Sequence, residues 1–538
     1  MAETNGVRPL LKEIETKKKW DENSLQKILR RYPKRGESLY QKDELVEAYK
    51  KLVRSGDLEK GKTIEQRIRL KPTRTQSGVA TVTVLMKPYP CPGKCIYCPD
   101  VNNMPKSYIP SEPGAQRALA HKFDPYNQTK YRIQALRNVG HNTDKIELII
   151  LGGTFSVYPK IYQIWFVKRC FDAMNSFDKN YQEDNIKEEN ITWQDLYKAQ
   201  NFNETTKCRN VGLALETRPD FITNEEVIRM RKLGATKVQI GVQSLNNKIL
   251  KLNKRGHTIK ETKEAFKLLR LAGFKIHAHI MPNLYGSNIK KDIKDYKKLW
   301  TKDYYPDELK IYPTSILPNT ELEKLYQEGK YHPYSEQRLL KYFVNTLPHT
   351  PRSVRLTRIV RDIPSNEIVA GNKKTNFRQI AENEIKKLGF RIEDIRSREI
   401  RDEKITWDDI EQEIIKYKTS VSTEYFISYI TKKDDKICGF LRLSLPKKRL
   451  SKEHFINELK NCAIIREVHV YGALVNIGKE SKGEAQHLGL GKELIKKAES
   501  IAKENGFKEI SVISAIGTRK YYEKRGFKRN ELYMNKHL

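Results

Sequence analysis

The sequence predicts an α/β chain: a partial (β/α) barrel, with a small helical domain before it and an α+β domain after it. Three observations carry this. Between residues 78 and 315, short β-rich runs alternate with amphipathic helical stretches, the cadence of a parallel sheet with helices outside. The first 75 residues instead carry apolar residues at helical spacing among Lys and Arg. From about residue 401, β-rich runs come first and helices follow.

Taken in order, LQKILRRY and KDELVEAYKKLVR are the N-terminal helices, and QRIRLKPTRTQSG closes that segment as a basic arm. The barrel strands are VATVTVLM (79–86), IELIILGG (146–153), VGLALET (211–217), KVQIGVQ (237–243), FKIHAHIM (274–281) and ELKIYPT (308–314). NEEVIRMRKLG and KETKEAFKLLRLAG are helices between them, each closed by Gly. Six such repeats fall short of the eight of a full barrel. Residues 176–207 are long and polar, a surface excursion with one helix around TWQDLYKAQ. Residues 316–400 read as an irregular connector, with Arg crowded in RSVRLTRIVRDIP. TEYFISYIT, ICGFLRLSL, AIIREVHVYG and EISVIS are strands of the last domain. The expected organisation is therefore 1–75, 76–315, 316–400 and 401–538.

Composition narrows the function. Lys and Arg number 102 against 67 Asp and Glu, a formal charge of +35 over 538 residues. That excess points to a polyanionic partner, nucleic acid or an anionic membrane surface. No run is long and apolar enough to span a bilayer, and the N-terminus has no apolar leader core. Seven Cys form no disulfide scaffold and fit a reducing, cytoplasmic setting.

Cys91, Cys95 and Cys98 lie in YPCPGKCIYCPD, just after the first β-rich run. A loop of this length folds three sulfurs toward one metal centre. Structural zinc wants a fourth ligand nearby, and His121, Cys170 and Cys208 are distant. Three thiolates instead leave one iron of a [4Fe-4S] cluster open to a ligand, where such clusters normally take four.

The C-x3-C-x2-C spacing with Tyr97 before the last Cys resembles the radical S-adenosylmethionine signature. ILGGT, with Gly152, Gly153 and Thr154, resembles the same superfamily's glycine motif, which contacts the methionyl amino group. KPTRTQSGVA, FDPYNQ, LETRPD, QIGVQS, HIMPNLYG, LKIYPT and RDIP agree in order with the family of the catalytic subunit of Elongator and its single-chain archaeal relatives. The resemblance runs from about residue 71 to the C-terminus. It implies that Glu216 and Arg218 face S-adenosylmethionine, although alone this pair reads as a surface turn at Pro219. Two departures stand out: only PGK separates Cys91 from Cys95, and GFRIEDIRSREI has Ile392 where the resemblance would place a zinc-binding Cys, with His332 and His349 in the neighbouring segment.

QHLGLG followed by KELIKKAESIAK is a Gly-rich turn opening an amphipathic helix, suited to a pyrophosphate. With the long β run before it and GTRKYYEKRGF after it, it resembles the GNAT acetyltransferase fold. The family likeness then places Glu467, Val468, His469 and Val470 along the pantetheine arm of acetyl-CoA. Leu490, Gly491 and Lys492 meet the pyrophosphate, Tyr522 approaches the thioester end, and Gln486, Gly489 and Tyr521 complete the acetyl-CoA contacts. It also implies that Lys145, on the barrel, contacts acetyl-CoA. The implied activity adds a carboxymethyl group at C5 of the wobble uridine (position 34) of tRNA, with the [4Fe-4S] cluster, S-adenosylmethionine and acetyl-CoA. The basic surface, with Arg67, Arg69, Lys71 and Arg74 in the arm and Arg355, Arg358 and Arg361 in the connector, would dock the tRNA anticodon arm. Protein lysine acetylation and a non-catalytic tRNA-binding scaffold are the rival readings. The sequence leaves open accessory subunits and self-association.

Overall fold

The computed structural model describes residues 2–21, 24–33, 39–59, 61–69, 78–401, 403, 405–471 and 489–538. Its first sheet grows strand by strand along the chain: β1 (Ala80–Leu85), β2 (Lys145–Leu151), β3 (Arg209–Thr217), β4 (Lys237–Gln243), β5 (Lys275–Ile280), β6 (Glu308–Ile311) and β7 (Arg355–Arg358). Each strand pairs in parallel with the next, so spatial order equals chain order. β1 and β7 are not paired with each other, which makes this a half-barrel. The outer helices obey local rules. Thr258 caps Ile259–Leu271 in a reciprocal box with Glu261, and Asn288 caps Ile289–Lys298. Their apolar sides pack on the sheet, Phe266, Leu269 and Tyr296 among them.

The second sheet comprises β8 (Ile410–Lys418), β9 (Ser422–Thr431), β10 (Ile437–Pro446), β11 (Cys462–Val470), β12 (Glu509–Val512), β13 (Lys528–Arg529) and β14 (Met534–His537). Its order is β13-β14-β12-β11-β10-β9-β8, and only β11 and β12 run in parallel. The helix Leu490–Glu504 lays Leu494, Ile495, Ala498 and Ile501 over Leu441, Leu443 and Ile465. At the N-terminus four helices, Ala2–Thr16, Ser24–Arg31, Lys42–Ser55 and Lys62–Ile68, bury Leu10, Ile28, Leu45 and Ile64 together.

All six expected barrel strands are present, and Trp193–Asn203 is the helix expected in the excursion. The irregular reading of 316–400 is corrected. That stretch holds helices Glu321–Gln327, Glu336–Val344 and Phe377–Lys387, and β7 extends the sheet by a seventh strand. β8 also went unread. It is an edge strand with mostly exposed charged residues.

The acetyltransferase-like domain docks against the N-terminal ends of the barrel strands. Lys275, first in β5, pairs with Glu467 of β11, and Gly273 lies against Ile464. Beneath them Asp307 is fully buried among Arg270, Arg442 and Arg466.

Candidate active site

The Cys loop leaves the C-terminal end of β1. Within it the Gly93 N–H donates to Cys91 Sγ at 3.4 Å, and Thr154 Oγ1 stands 3.9 Å from the same sulfur. Arg255 Nη1 donates to Cys95 Sγ at 3.7 Å and its Nη2 to the Gly241 carbonyl at 2.9 Å. All three thiols are free of disulfides. Burial, then Cys95 beside it, pushes Cys98 up to about 12, so a thiolate at Cys98 needs a cation to offset its charge. Among the described residues no three His, Cys, Asp or Glu side chains stand close enough to grip a single ion. One tetrahedral zinc would need every sulfur about 2.3 Å from the same atom. Three thiols in one loop with no fourth Cys or His in that loop leave one coordination position open, a donor set that suits a cluster better than a structural zinc.

Gly152 and Gly153 follow β2 at φ +144° and +91°, conformations that L side chains rarely adopt. A Cβ on Gly152 would lie 3.0 Å from Met86 Cβ and 3.2 Å from the Tyr158 hydroxyl. One on Gly153 would lie 3.3 Å from the Lys106 carbonyl. Gly152→Ala should therefore cost about 1–3 kcal/mol of stability and weaken S-adenosylmethionine binding. Thermal unfolding and titration calorimetry check this, and unchanged values for both would refute the assignment of the turn.

β3 supplies the next pair. Glu216 Oε2 accepts from the Tyr108 hydroxyl at 2.7 Å, and its Oε1 lies 3.7 Å from His279 Nδ1. Arg218 makes a two-pronged bond to Asp220 at 3.0 and 2.7 Å. Its remaining Nη1 is buried with no hydrogen-bond partner among the described residues and faces Gly93, where a Cβ would sit 2.5 Å away. Arg218 thus belongs to the floor of the Cys loop. Tyr97 packs beside Ile96, Ile316 and Leu322. Arg255 and Tyr108 carried no sequence signal. His257 likewise carried none; burial and then Arg255 pull its ring down to about 3.

The second half of the site is a split between strands. β11 pairs with β12 only over Cys462–Ile465. It then diverges from β12 and continues to Val470 paired with β10, past a register shift opposite Arg442 and Leu443. On the β12 side, backbone groups of Glu467–His469 have no β12 partner and can meet an amide-bearing chain. Glu467 takes hydrogen bonds from Lys275 and from Arg442 (2.9 Å), and the His469 ring lies 5.8 Å from Phe440. Val468 and Val470 turn to the opposite side, against the helix core. Gly489, at φ +73°, heads the helix Leu490–Glu504; its carbonyl takes the Lys492 N–H at 2.8 Å, and the N–H groups of Leu490 and Gly491 precede the first intrahelical bond. Gly491 lies against Tyr521, whose hydroxyl would be 2.5 Å from a Cβ there, and against Val470. Tyr522 is buried beside Phe527. Gln486 lies outside the described residues. Lys145 opens β2 in register with Arg209, and Gly517 of the acetyltransferase-like domain seats on Arg209 and Asn210. Burial lowers the Lys145 ammonium, an effect that Asp144 partly offsets.

One cavity of about 1020 Å³ joins the halves. Tyr97 and Glu216 line it at one end; Glu467, His469 and Tyr522 line it at the other. Between them the barrel interior is polar. Lys237 bridges Glu147 (2.5 Å) and Glu308 (3.1 Å), and Glu308 also receives Lys275 (3.4 Å), with His277 Nδ1 standing 3.2 Å away. Burial pushes the Glu308 carboxyl up, but Lys237 and Lys275 outweigh it and hold the group well below its usual range. Burial, then Lys310, pulls His277 and His279 well below theirs, so both rings are neutral.

The connector arginines border the same cavity. Arg355 pairs with Glu399 and donates to Tyr471 at 2.8 Å, while Arg361 pairs with Glu112 at 2.6 Å. Arg358 meets Asp362 at 2.8 Å and is the most exposed of the three. In the arm, Arg67 donates to the Glu15 carbonyl at 3.1 Å and covers the Trp20 ring, and Arg69 donates to the Gly140 carbonyl at 3.0 Å. Lys71 and Arg74 lie outside the described residues.

Residues 89–299 match the Radical SAM superfamily, 306–387 the Radical_SAM C-terminal domain and 392–527 the Acetyltransferase (GNAT) family. The tRNA uridine(34) acetyltransferase of Methanocaldococcus infernus is 42% identical over 486 residues, 88% of each chain. Elongator complex protein 3 of Saccharomyces cerevisiae is 35% identical over 490 residues, 88% of this chain and 85% of that one. The solved structure of M. infernus Elp3 lacking residues 1–46 superposes with a TM-score of 0.72 at 39% identity, covering 86% of this chain and 99% of the other.

Proposed function

The chain belongs to the family of the archaeal tRNA uridine(34) acetyltransferases and Elongator complex protein 3, and from that premise we propose that it carboxymethylates C5 of uridine 34 in tRNA. The radical SAM domain takes a [4Fe-4S] cluster and S-adenosylmethionine, and the GNAT domain takes acetyl-CoA. When bound, these groups supply radical hydrogen abstraction and a two-carbon donor. The observation that carries the reading is the single cavity between the Cys loop and the β11–β12 split. A wall common to both ends lets one acyl group and one base meet out of water.

The chain's own residues divide the work. Cys91, Cys95 and Cys98 hold the cluster, with the Arg255 guanidinium offsetting thiolate charge. The Gly152–Gly153 turn lets backbone approach the methionyl end, and Glu216 and Arg218 border it. Along Glu467–Val470, beyond the last β11–β12 pair, pantetheine pairs as a strand would. The N–H groups of Leu490 and Gly491, the Lys492 ammonium and the helix dipole bind pyrophosphate. Tyr522 stands at the thioester end, and Lys145 reaches the ligand from the barrel side. Arg358 and the basic N-terminal domain hold the anticodon arm by phosphate contacts, so affinity falls steeply with salt. No described helix is long and apolar enough to cross a membrane.

Anaerobic reconstitution with iron, sulfide, reductant, S-adenosylmethionine, acetyl-CoA and tRNA tests this. Mass spectrometry of the nucleosides should find carboxymethyluridine from position 34. Acetylated lysine peptides without that nucleoside would establish protein acetylation instead. Neither product, with S-adenosylmethionine uncleaved, would leave only a tRNA-binding scaffold. Adding a candidate accessory subunit to the same reaction measures any dependence on partners.

A further inference from the structure

Three lysines point into the half-barrel, and two are neutralised. Lys237 contacts Glu147 and Glu308; Lys275 contacts Glu308 and Glu467. Lys310 differs. Its ammonium hydrogen-bonds Gln239 Oε1, and it has no carboxylate ion pair among the described residues. It is half-buried and lines the cavity. An ammonium carries three N–H donors and no acceptor. One is used, and two are left for whatever occupies the cavity.

The neighbours sharpen the chemistry. Because Lys310 only donates, the Gln239 amide must turn its oxygen toward it. His279 Nε2 approaches the same oxygen at 3.2 Å. The Gln239 Nε2 is then a buried donor with no partner among the described residues. Register places Glu216, Gln239, His277 and Glu308 on one level, with His279 and Lys310 one step nearer the Cys loop. Glu216, the carboxylate whose charge most attracts Lys310, already accepts from Tyr108. Burial pulls Lys310 down to about 8, against the attraction of Glu216, so it is still mainly charged at neutral pH. The wall facing the cavity here offers donors, and it suits a carbonyl.

We propose that Lys310, with the Gln239 amide beside it, donates to a carbonyl oxygen of the acceptor base and so selects uracil over cytosine. This rests on the reading of uridine 34 as the acceptor. Uracil carries a carbonyl at C4, next to the carbon that is modified. Cytosine carries an amino group there, which would set N–H against N–H in a site with little water. Buried donors left unpaired give large discrimination.

The test uses the full chain and anticodon stem-loops that differ only in uridine or cytidine at position 34. Wild type should bind the uridine form at least about tenfold more tightly. Lys310→Met, which removes the charge at similar length, should bring the two within about twofold, and Gln239→Leu should narrow the gap in the same direction. A purely structural role would weaken both stem-loops alike or lower thermal stability without touching the ratio. A stem-loop with 4-thiouridine at position 34, photo-cross-linked to wild type, should attach to the peptide spanning Glu308–Tyr312 or to that spanning Lys237–Gln243. A preference that survives both variants, or a cross-link elsewhere, overturns the proposal. If wild type modifies position 34 and the ratio is still insensitive, this inference alone falls. If wild type modifies no uridine 34, the functional reading falls and takes this inference with it.

Discussion

Cys95→Ala should abolish iron–sulfide uptake and S-adenosylmethionine cleavage while leaving the fold and coenzyme A binding intact. The asymmetry follows from where the residue sits. Cys95 lies in an irregular loop, half-buried, and belongs to none of the apolar core clusters. Its described side-chain partner is Arg255, which keeps its bond to the Gly241 carbonyl when the sulfur is gone. Loss of a thiol there should shift stability by no more than about 0.5 kcal/mol, as for a surface change. With the three thiolates as the cluster ligands, as proposed, loss of one removes the centre on which every radical step depends. The wobble nucleoside should then remain unmodified, and cleavage of S-adenosylmethionine should fall to the protein-free level. The β11–β12 split lies across the cavity from the loop, so acetyl-CoA affinity should match wild type. Iron and sulfide analysis, product mass spectrometry and calorimetry with acetyl-CoA check the three parts. Stoichiometric zinc in wild type, with no sulfide, would instead make the loop a structural metal site. Retained iron and activity in Cys95→Ala would remove this cysteine from the ligand set.

How much of this was legible in the sequence depended on whether the signal was local. β1–β6 announce themselves by runs of β-branched residues, and the Cys and Gly motifs lie in contiguous segments. β7 did not, because Arg355-Leu-Thr-Arg358 is short and points arginines into the cavity, so its alternation looks like a basic loop. β8 exposes charge along an edge and has little apolar face to reveal it. The polar barrel interior left a fainter trace. Strands of a parallel sheet covered on both faces usually read as continuous apolar runs. Here Lys275, His277 and His279 alternate along β5, and Glu308, Lys310 and Tyr312 do so along and just past β6. Period-two polarity in central parallel strands is the mark of a barrel that holds a ligand, and it could have drawn attention to Lys310. Arg255 and Tyr108 had no such pattern. Only the fold brings them to Cys95 and Glu216.

Asp307→Asn should be the most destabilising single change at the domain interface, and it should also flatten the acid limb of the stability curve. Asp307 has no exposed surface. Arg466 grips it with two bonds of 2.8 and 2.7 Å, Arg270 adds one of 3.2 Å, and the Ile276 N–H donates at 2.9 Å. Arg442 stands 3.5 Å away and shares its charge with Glu467, while Glu424 takes Arg466 at 2.8 Å. Barrel residues Arg270 and Asp307 thus interlock with Glu424, Arg442 and Arg466 of the acetyltransferase domain. Removing the central carboxylate leaves three buried guanidinium groups facing too little negative charge, and breaking such a pair costs about 3–5 kcal/mol. The pH dependence has a definite sign. Burial alone would raise the Asp307 carboxyl, but Arg466, Arg270 and Arg442 outweigh it and hold the group far below the ordinary aspartate range. A depressed carboxylate stabilises fully above its unfolded pKa of about 3.9, and that contribution is lost as pH falls below this value toward the folded one. Wild type should therefore lose stability steeply below about pH 4, and Asp307→Asn should start lower and slope less over the same window. Because the residue joins two domains, the variant should unfold in two steps, the acetyltransferase domain parting first from the barrel. Calorimetric scans between pH 3 and pH 7 read both effects. A variant within about 1 kcal/mol of wild type, with an unchanged acid slope, would show that the arginines find their compensation elsewhere and that the cluster does not hold the shared cavity together.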